Sequence, residues 1–241
     1  MTKSYTEWKT DLLESEGYFE PSTQYGSNQG GIFNEGGSRS YLKFPKQPEQ
    51  AHVEAAMAEM YNHLGIQTHN PEIVNHFGKV GVKSPWNPNL AQLEDDDLHK
   101  VYDSPKHSRQ LAMIHHAAVL SKNYDVVGLV RDNLLHDTKT DNLVSLDQGG
   151  SMHFRAQGAP KEFTPDVSEI ESFKNPHNGA GSVFAGLFKK NPYLGRETAN
   201  TVQNKLSDEY IDGLMAKHGL QNHADTLKKR RDLLIAHYHS S

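Results

Sequence analysis

The sequence predicts an α+β chain in two lobes: a small β-rich lobe with one helix over residues 1–84, then a mostly helical lobe over residues 85–241. Three observations predict it. A Gly-Gly hairpin turn and two later apolar runs place strands on both sides of one capped helix before residue 84. Ser84-Pro85-Trp86-Asn87-Pro88-Asn89-Leu90 is Pro-rich and reads as a connector. Beyond residue 178 the apolar residues recur at helical spacing.

In chain order, Trp8, Leu12 and Leu13 predict a short amphipathic helix over 5–15. Ile32-Phe33 and Tyr41-Leu42-Lys43-Phe44 predict two strands joined by Glu35-Gly36-Gly37-Ser38. Gly30-Gly31 lies just before or within the first strand. Without side chains it suits either a bulge or a close approach of backbone N–H groups to a polyphosphate. Lys43 is either an exposed edge lysine or a point charge reaching a phosphate. Pro48 opens a helix from Glu49 to Leu64, and Gly65 closes it. Val53, Met57, Met60, Tyr61 and Leu64 form its apolar stripe. Glu54 falls at the edge of that stripe, either solvated like Glu49 and Glu59 or paired with Lys43. Pro71–Val74 and Lys79–Lys83 predict further strands.

After the connector, Asp95-Asp96-Asp97 reads as a solvated helix face, because carboxylates this close repel. A helix is expected from Ser108 to Leu120. Its adjacent His115 and His116 point about 100° apart, a poor chelating pair, and read as structural or surface residues. The remaining histidines show no metal-type spacing. Leu134-Leu135 and Leu143–Leu146, separated by the turn-prone 136–142, predict a hairpin. Folding there brings the Asp132-Asn133 pair beside Asp147, and an amide oxygen with a carboxylate suits a hard cation such as Mg²⁺; the same residues equally make a surface hairpin with polar ends. The loop 151–176, with Arg155 and Lys161, is long enough to line a cleft or contact a substrate. Helices are expected over 179–189, 195–204, 207–217 and 223–238, with Lys228–Arg231 a solvated face.

Composition narrows the function classes. A net charge of −5 gives no electrostatic case for a nucleic acid or membrane surface as partner. The absence of cysteine excludes disulfides, thiolate metal sites and a cysteine nucleophile. The first residues lack the apolar core of a secretory signal, and no run is long enough to span a bilayer. A cytoplasmic protein, or an effector or toxin translocated into a host cell by another route, is expected.

The order of parts is a glycine-bearing hairpin, a strand lysine, a helix glutamate, a connector, Asp-Asn, a hairpin and Asp-x-Gly. This resembles the protein-kinase-like fold over most of the chain. Within that superfamily the chain resembles small atypical bacterial members related to HipA-type toxin kinases and phosphoinositide kinases. Residues 147–161 are similar to a stretch seen in phage and bacterial proteins of that group. The resemblance implies an ATP- and Mg²⁺-dependent phosphotransferase acting on a hydroxyl, with a protein acceptor expected. Gln29, Gly30 and Gly31, with Ser27 and Asn28, would cover the phosphates. Lys43 would contact them and pair with Glu54, and Asn133 and Asp147 would hold Mg²⁺. The family's catalytic aspartate stands five positions before the metal-binding asparagine, and that position is Gly128. Asp132 is the favoured substitute and Asp125 the alternative. Adjacent Asp-Asn resembles the selenoprotein-O-like pseudokinases, which transfer AMP. Alternative readings are therefore AMP transfer, a small-molecule or lipid acceptor, a non-catalytic interaction module, and a structural component of a phage particle.

Overall fold

The computed structural model of the protein describes residues 17–22, 28–76 and 78–240. The helix expected over 5–15, and Ser27, lie outside the described residues.

A five-stranded antiparallel sheet comes first, in the order β1-β2-β3-β5-β4. Its strands are β1 (Tyr18–Phe19), β2 (Gln29–Glu35), β3 (Ser38–Phe44), β4 (Glu72–His76) and β5 (Lys79–Pro85). Gly36 and Gly37 both have positive φ, 53° and 79°, as a two-residue hairpin turn matched to strand twist requires. This turn fixes the register that sets Gly30 opposite Lys43 and Gly31 opposite Leu42. Helix α1 (Pro48–Leu64) connects β3 to β4. Pro48 supplies the helical φ at its start, and Gly65, at φ 93°, caps its end with an N–H to the Asn62 carbonyl. The helix packs on β4 and β5 on one side and on the helical lobe on the other. It is therefore buried nearly all round. Glu54 is not at the edge of a stripe but 1% exposed.

The expected connector is shorter than its sequence suggests. Ser84 and Pro85 still belong to β5, and Leu90 already begins β6 (Leu90–Gln92). Strand β6 pairs with β7 (Leu134–Asp137), which pairs with β8 (Asn142–Ser145). A three-residue strand is too short to show an alternating pattern, so it was not legible in the sequence. Around this ribbon lie α2 (Asp95–Asp103), α3 (Pro105–Ser121), α4 (Glu169–Ser172), α5 (Gly179–Lys190), α6 (Leu194–Lys205), α7 (Asp208–Lys217) and α8 (Ala224–Ser240). Helix α3 is the axis of the core, in contact with α2, α5, α6, α8 and β8. His115 and His116 are both buried in it, and the ring nitrogens of His116 face the carbonyls of Ala112 and Gly195 at 3.0 Å each. Burial pushes the His116 imidazole down to about 4, so it stays neutral. No helix among the described residues is long and apolar enough to cross a membrane.

The Lys228–Arg231 run is not the solvated face expected. Arg230 is fully buried, and its guanidinium donates to the carbonyls of Leu120, Val119, Thr164 and Asp166 and to Glu169. Helical periodicity gives no reason to bury a cation there. The acceptors come from the end of α3 and from residues 164–169, which only the tertiary structure brings to it.

Candidate functional site

Lys43, Glu54 and Asp147 meet between the sheet and the ribbon. The Lys43 Nζ lies 2.7 Å from Glu54 Oε2 and 2.9 Å from Asp147 Oδ1. Each position has a local cause. Lys43 is one residue from the end of β3, and α1 starts at Pro48 after a short turn, so Glu54 comes back beneath the strand. Asp147 follows β8 after one residue, Leu146. It adopts φ 50°, and its side chain accepts the Gly149 N–H at 3.3 Å, capping the 3₁₀ turn Gln148–Gly150. Left-handed backbone is tolerated best, outside glycine, by Asp and Asn. Gln50, one turn before Glu54, donates to the Gly149 carbonyl at 3.0 Å and fastens that turn to α1.

The electrostatics are those of one ammonium shared by two carboxylates. Burial alone would lower the Lys43 pKa, but Asp147 and Glu54 outweigh it, and the pKa lies above its ordinary value. Burial pushes the Glu54 carboxyl up to about 7 against the pull of Lys43, with Asp147 adding to the rise. Burial also acts to raise Asp147, but the Lys43 ammonium more than offsets it, so Asp147 stays below the usual carboxylate range. The Asp147 side chain is 39% exposed, and its contacts with Lys43 and with the Gly149 N–H both fall on Oδ1.

Across the ribbon, Leu146 N–H donates to the Asn133 carbonyl at 2.9 Å, which sets Asn133 beside Asp147. The Asn133 amide donates to the Asp125 carbonyl at 2.8 Å and to its carboxylate at 3.2 Å. That fixes the amide's orientation and leaves Oδ1 as the acceptor for a ligand. Asn133 Oδ1 and the Asp147 carboxylate are hard donors of the kind Mg²⁺ takes, alongside phosphate oxygens and water.

The two candidate bases differ in placement. Asp132 is exposed, and its Oδ1 lies 2.0 Å from where a Cβ on Gly128 would stand. Gly128, at φ 80°, therefore has no room for the aspartate that counting from Asn133 puts there. Val126 and Val127 are buried in the core, residues 129–132 turn outward, and the chain returns so that Asp125 sits against Asn133. Burial first, then the charges of Asp147 and Asp132, push the Asp125 carboxyl up to about 6. The signal in the sequence was an eight-position gap between Asp125 and Asn133 carrying the apolar Leu129-Val130, which is exposed in the structure (96% and 64%).

Other expected residues fare differently. Gly30 lies inside β2, where a Cβ would meet the Leu42 carbonyl oxygen at 2.2 Å, so the pairing of β2 with β3 by itself requires glycine. Gln29 is exposed and accepts from Lys79 Nζ at 3.1 Å, a contact outside the Lys43 cluster. Lys161 turns inward, donating to the carbonyls of Lys122 and Gly150 at 2.5 and 2.7 Å, and so braces the long loop. His69 was missed. Burial and then the Lys43 charge push it down to about 4, and its shielded Nδ1 has no hydrogen-bond partner. An isolated histidine in a polar loop carries no sequence signal of this neighbourhood.

The fold is two-lobed and protein-kinase-like: an antiparallel β-sheet part followed by a helical part. It is similar to the crystal structure of the Helicobacter pylori proinflammatory kinase CtkA, with a TM-score of 0.52 and 12% identity over 93% of this chain and 96% of that one. Choline kinase LicA from Streptococcus pneumoniae aligns at a TM-score of 0.40 and 13% identity over 98% of each chain, too weak a likeness to add to this. No protein-family model matches the sequence, and no curated protein matches it either.

Proposed function

We propose that the protein is an ATP- and Mg²⁺-dependent phosphotransferase with its site between residues 1–84 and 85–241. The observation that carries this reading is the Lys43 ammonium held at 2.7 and 2.9 Å by Glu54 and Asp147, the latter 104 residues away in sequence. The likeness in fold to a kinase supports it. Lys43 stabilises charge on the non-transferred phosphates, and Glu54 holds the lysine in place. Asn133 Oδ1 and Asp147 would hold Mg²⁺, which when bound neutralises phosphate charge. Backbone of the Gln29–Gly31 segment flanks the phosphates beside Lys43. Asp125, rather than Asp132, accepts the proton of the attacking hydroxyl as the γ-phosphoryl bond to ADP breaks. Its partial burial and its bond to Asn133 support that choice.

The acceptor is proposed to be a Ser, Thr or Tyr hydroxyl of a protein. Exposed Leu129 and Val130, a few residues after Asp125, border a cavity of about 230 Å³ lined also by Gln92, Arg131 and Ser182. Contiguous exposed apolar residues suit a macromolecular partner. Parallel incubation with γ-labelled and α-labelled ATP tests the reaction. Label on protein from the γ-position alone is expected. Label from the α-position would mean AMP transfer, and label from neither would remove the enzyme reading.

The raised pKa of Asp125 sets a pH dependence. A base works deprotonated, so transfer should rise as pH passes through about 6 and then level off. Stability moves oppositely. A folded-state pKa above the unfolded one means stability present at low pH that is lost as pH climbs through about 6. Asp125→Asn should therefore abolish transfer while raising Tm at pH 8. An Asp125→Asn protein with full transfer would send the base assignment back to Asp132.

A further inference from the structure

Away from the Lys43 cluster, Glu49, His153 and His223 bring one ligand atom each to within 4.8 Å of one another. They come from three separate parts of the chain. Glu49 is in the first turn of α1, His153 lies on the segment after Asp147, and His223 ends the 3₁₀ turn that precedes α8. We propose that these three side chains form a site for a zinc-type divalent cation that clamps α1 to the segment following Asp147.

Four observations carry it. Both ring nitrogens of His153 are shielded from solvent and neither has a hydrogen-bond partner. An unpaired buried polar atom costs about 1–3 kcal/mol, offset at Nε2 in part by the Glu49 carboxylate 3.3 Å away. Second, His153 Nε2 stands 3.3 Å from Glu49 Oε1 without forming a hydrogen bond, as two ligands facing a common point would. Third, the His153 and His223 rings are already neighbours, stacked with centroids 4.5 Å apart at 21°, and Phe154 contacts His153 as Phe163 contacts His223. Imidazole lone pairs lie in the ring plane, so one ring must turn about its Cβ–Cγ bond for both to face a tetrahedral ion with bonds of about 2.0–2.2 Å, water taking the fourth position. Fourth, the set is chemically apt. Two imidazoles and a carboxylate are a zinc donor set, and a harder ion such as Mg²⁺ prefers oxygen alone. Burial lowers both imidazoles below their ordinary pKa, so they are neutral and open to a metal at pH 7. The Lys161 ammonium, whose charge reaches His153, is occupied with the carbonyls of Lys122 and Gly150.

A second triple, His107, His136 and Asp141, lacks these marks. Asp141 already pairs with Lys106 at 3.3 Å and with His136 at 3.0 Å, and the His107 ring contacts the Asp141 carbonyl at 3.0 Å. Its atoms are satisfied, which makes it the internal control. The site was hidden from the sequence because His153 and His223 are far apart along it, and metal-type spacing is a local signal.

The bound ion would fix the helix that carries Glu54, five residues beyond Glu49, against the turn that carries Asp147. That link to transfer rests on the phosphotransferase reading, but the binding does not, and the test is made without nucleotide. Purified full-length protein, stripped with EDTA, is titrated with ZnCl₂ against a chromophoric chelator and separately loaded with Co²⁺. Wild type is expected to take one equivalent of Zn²⁺ in excess Mg²⁺, to gain Tm on binding, and to give the visible absorption of a four-coordinate cobalt site. Loss of a second-shell partner alone costs about 10–100-fold in metal affinity, so His153→Ala and His223→Ala should each weaken binding by about 100-fold or more. Glu49→Gln, a change at an exposed carboxylate, keeps the test open should a histidine variant not fold, and it should weaken binding too. His107→Ala should change nothing. No binding by wild type, or unchanged affinity in the folded variants at 49, 153 and 223, overturns the proposal and leaves the reading of the Lys43 site untouched.

Discussion

Asp147→Asn is expected to lower ATP-dependent transfer by about 10²–10³-fold while leaving the fold intact, the scale on which removal of one electrostatic stabiliser acts. The substitution keeps the shape of the side chain and removes its charge. Asparagine tolerates the left-handed backbone at this position, φ 50°, nearly as well as aspartate does. Lys43 is not orphaned, because Glu54 still holds it at 2.7 Å. A loss of transfer with unchanged Tm therefore reports on the nucleotide's cation and not on the lysine's support. Single-turnover assays over a range of Mg²⁺ concentrations check it, and the variant should need far more Mg²⁺ than wild type. A folded Asp147→Asn protein that transfers at the wild-type rate removes Asp147 from the mechanism.

Arg230→Ala is expected to cost about 3–5 kcal/mol of stability, the range for breaking one partner of a buried ion pair. Arg230 and Glu169 are both fully buried, with Nη2 to Oε2 at 2.5 Å. The five N–H donors of a guanidinium find acceptors at Glu169 and at four backbone carbonyls. The alanine variant strands all of them and leaves the Glu169 carboxylate alone in the core. Lys229→Ala, one residue away on the exposed side, should shift stability by less than about 0.5 kcal/mol. Replacing both partners by methionine should recover much of the loss, because a pair of apolar groups leaves no uncompensated charge. Urea midpoints for the four proteins decide it. A midpoint for Arg230→Ala close to wild type would mean that the pair contributes nothing net.

What could be read in advance follows from the range of each signal. The β2–β3 turn, the proline start and glycine stop of α1, and the β7–β8 hairpin are local chemistry, and each was legible within a few residues. The convergence of Lys43, Glu54 and Asp147 was inferred from their order, and the structure brings the three together. Depth was less legible. Glu54 was set at the edge of the buried face and Arg230 in solvent, because the pattern of one helix does not reveal that a second body covers its other side. Fixed-offset counting located no base because residues 129–132 turn out to solvent and back, lengthening the path from Asp125 to Asn133. The polar groups of the 3₁₀ turn and His69 carried no pattern at all.

The balance of charge around Lys43 has a last consequence. Glu54 and Asp147 hold the Lys43 ammonium, and Asp125 and Asp132 add two further carboxyl groups on the Asp147 side. Such a basin repels naked polyanions and gathers their metal complexes instead. Selection among nucleotides would then begin before any hydrogen bond to the base is made, with entry granted to the triphosphate that arrives already escorted.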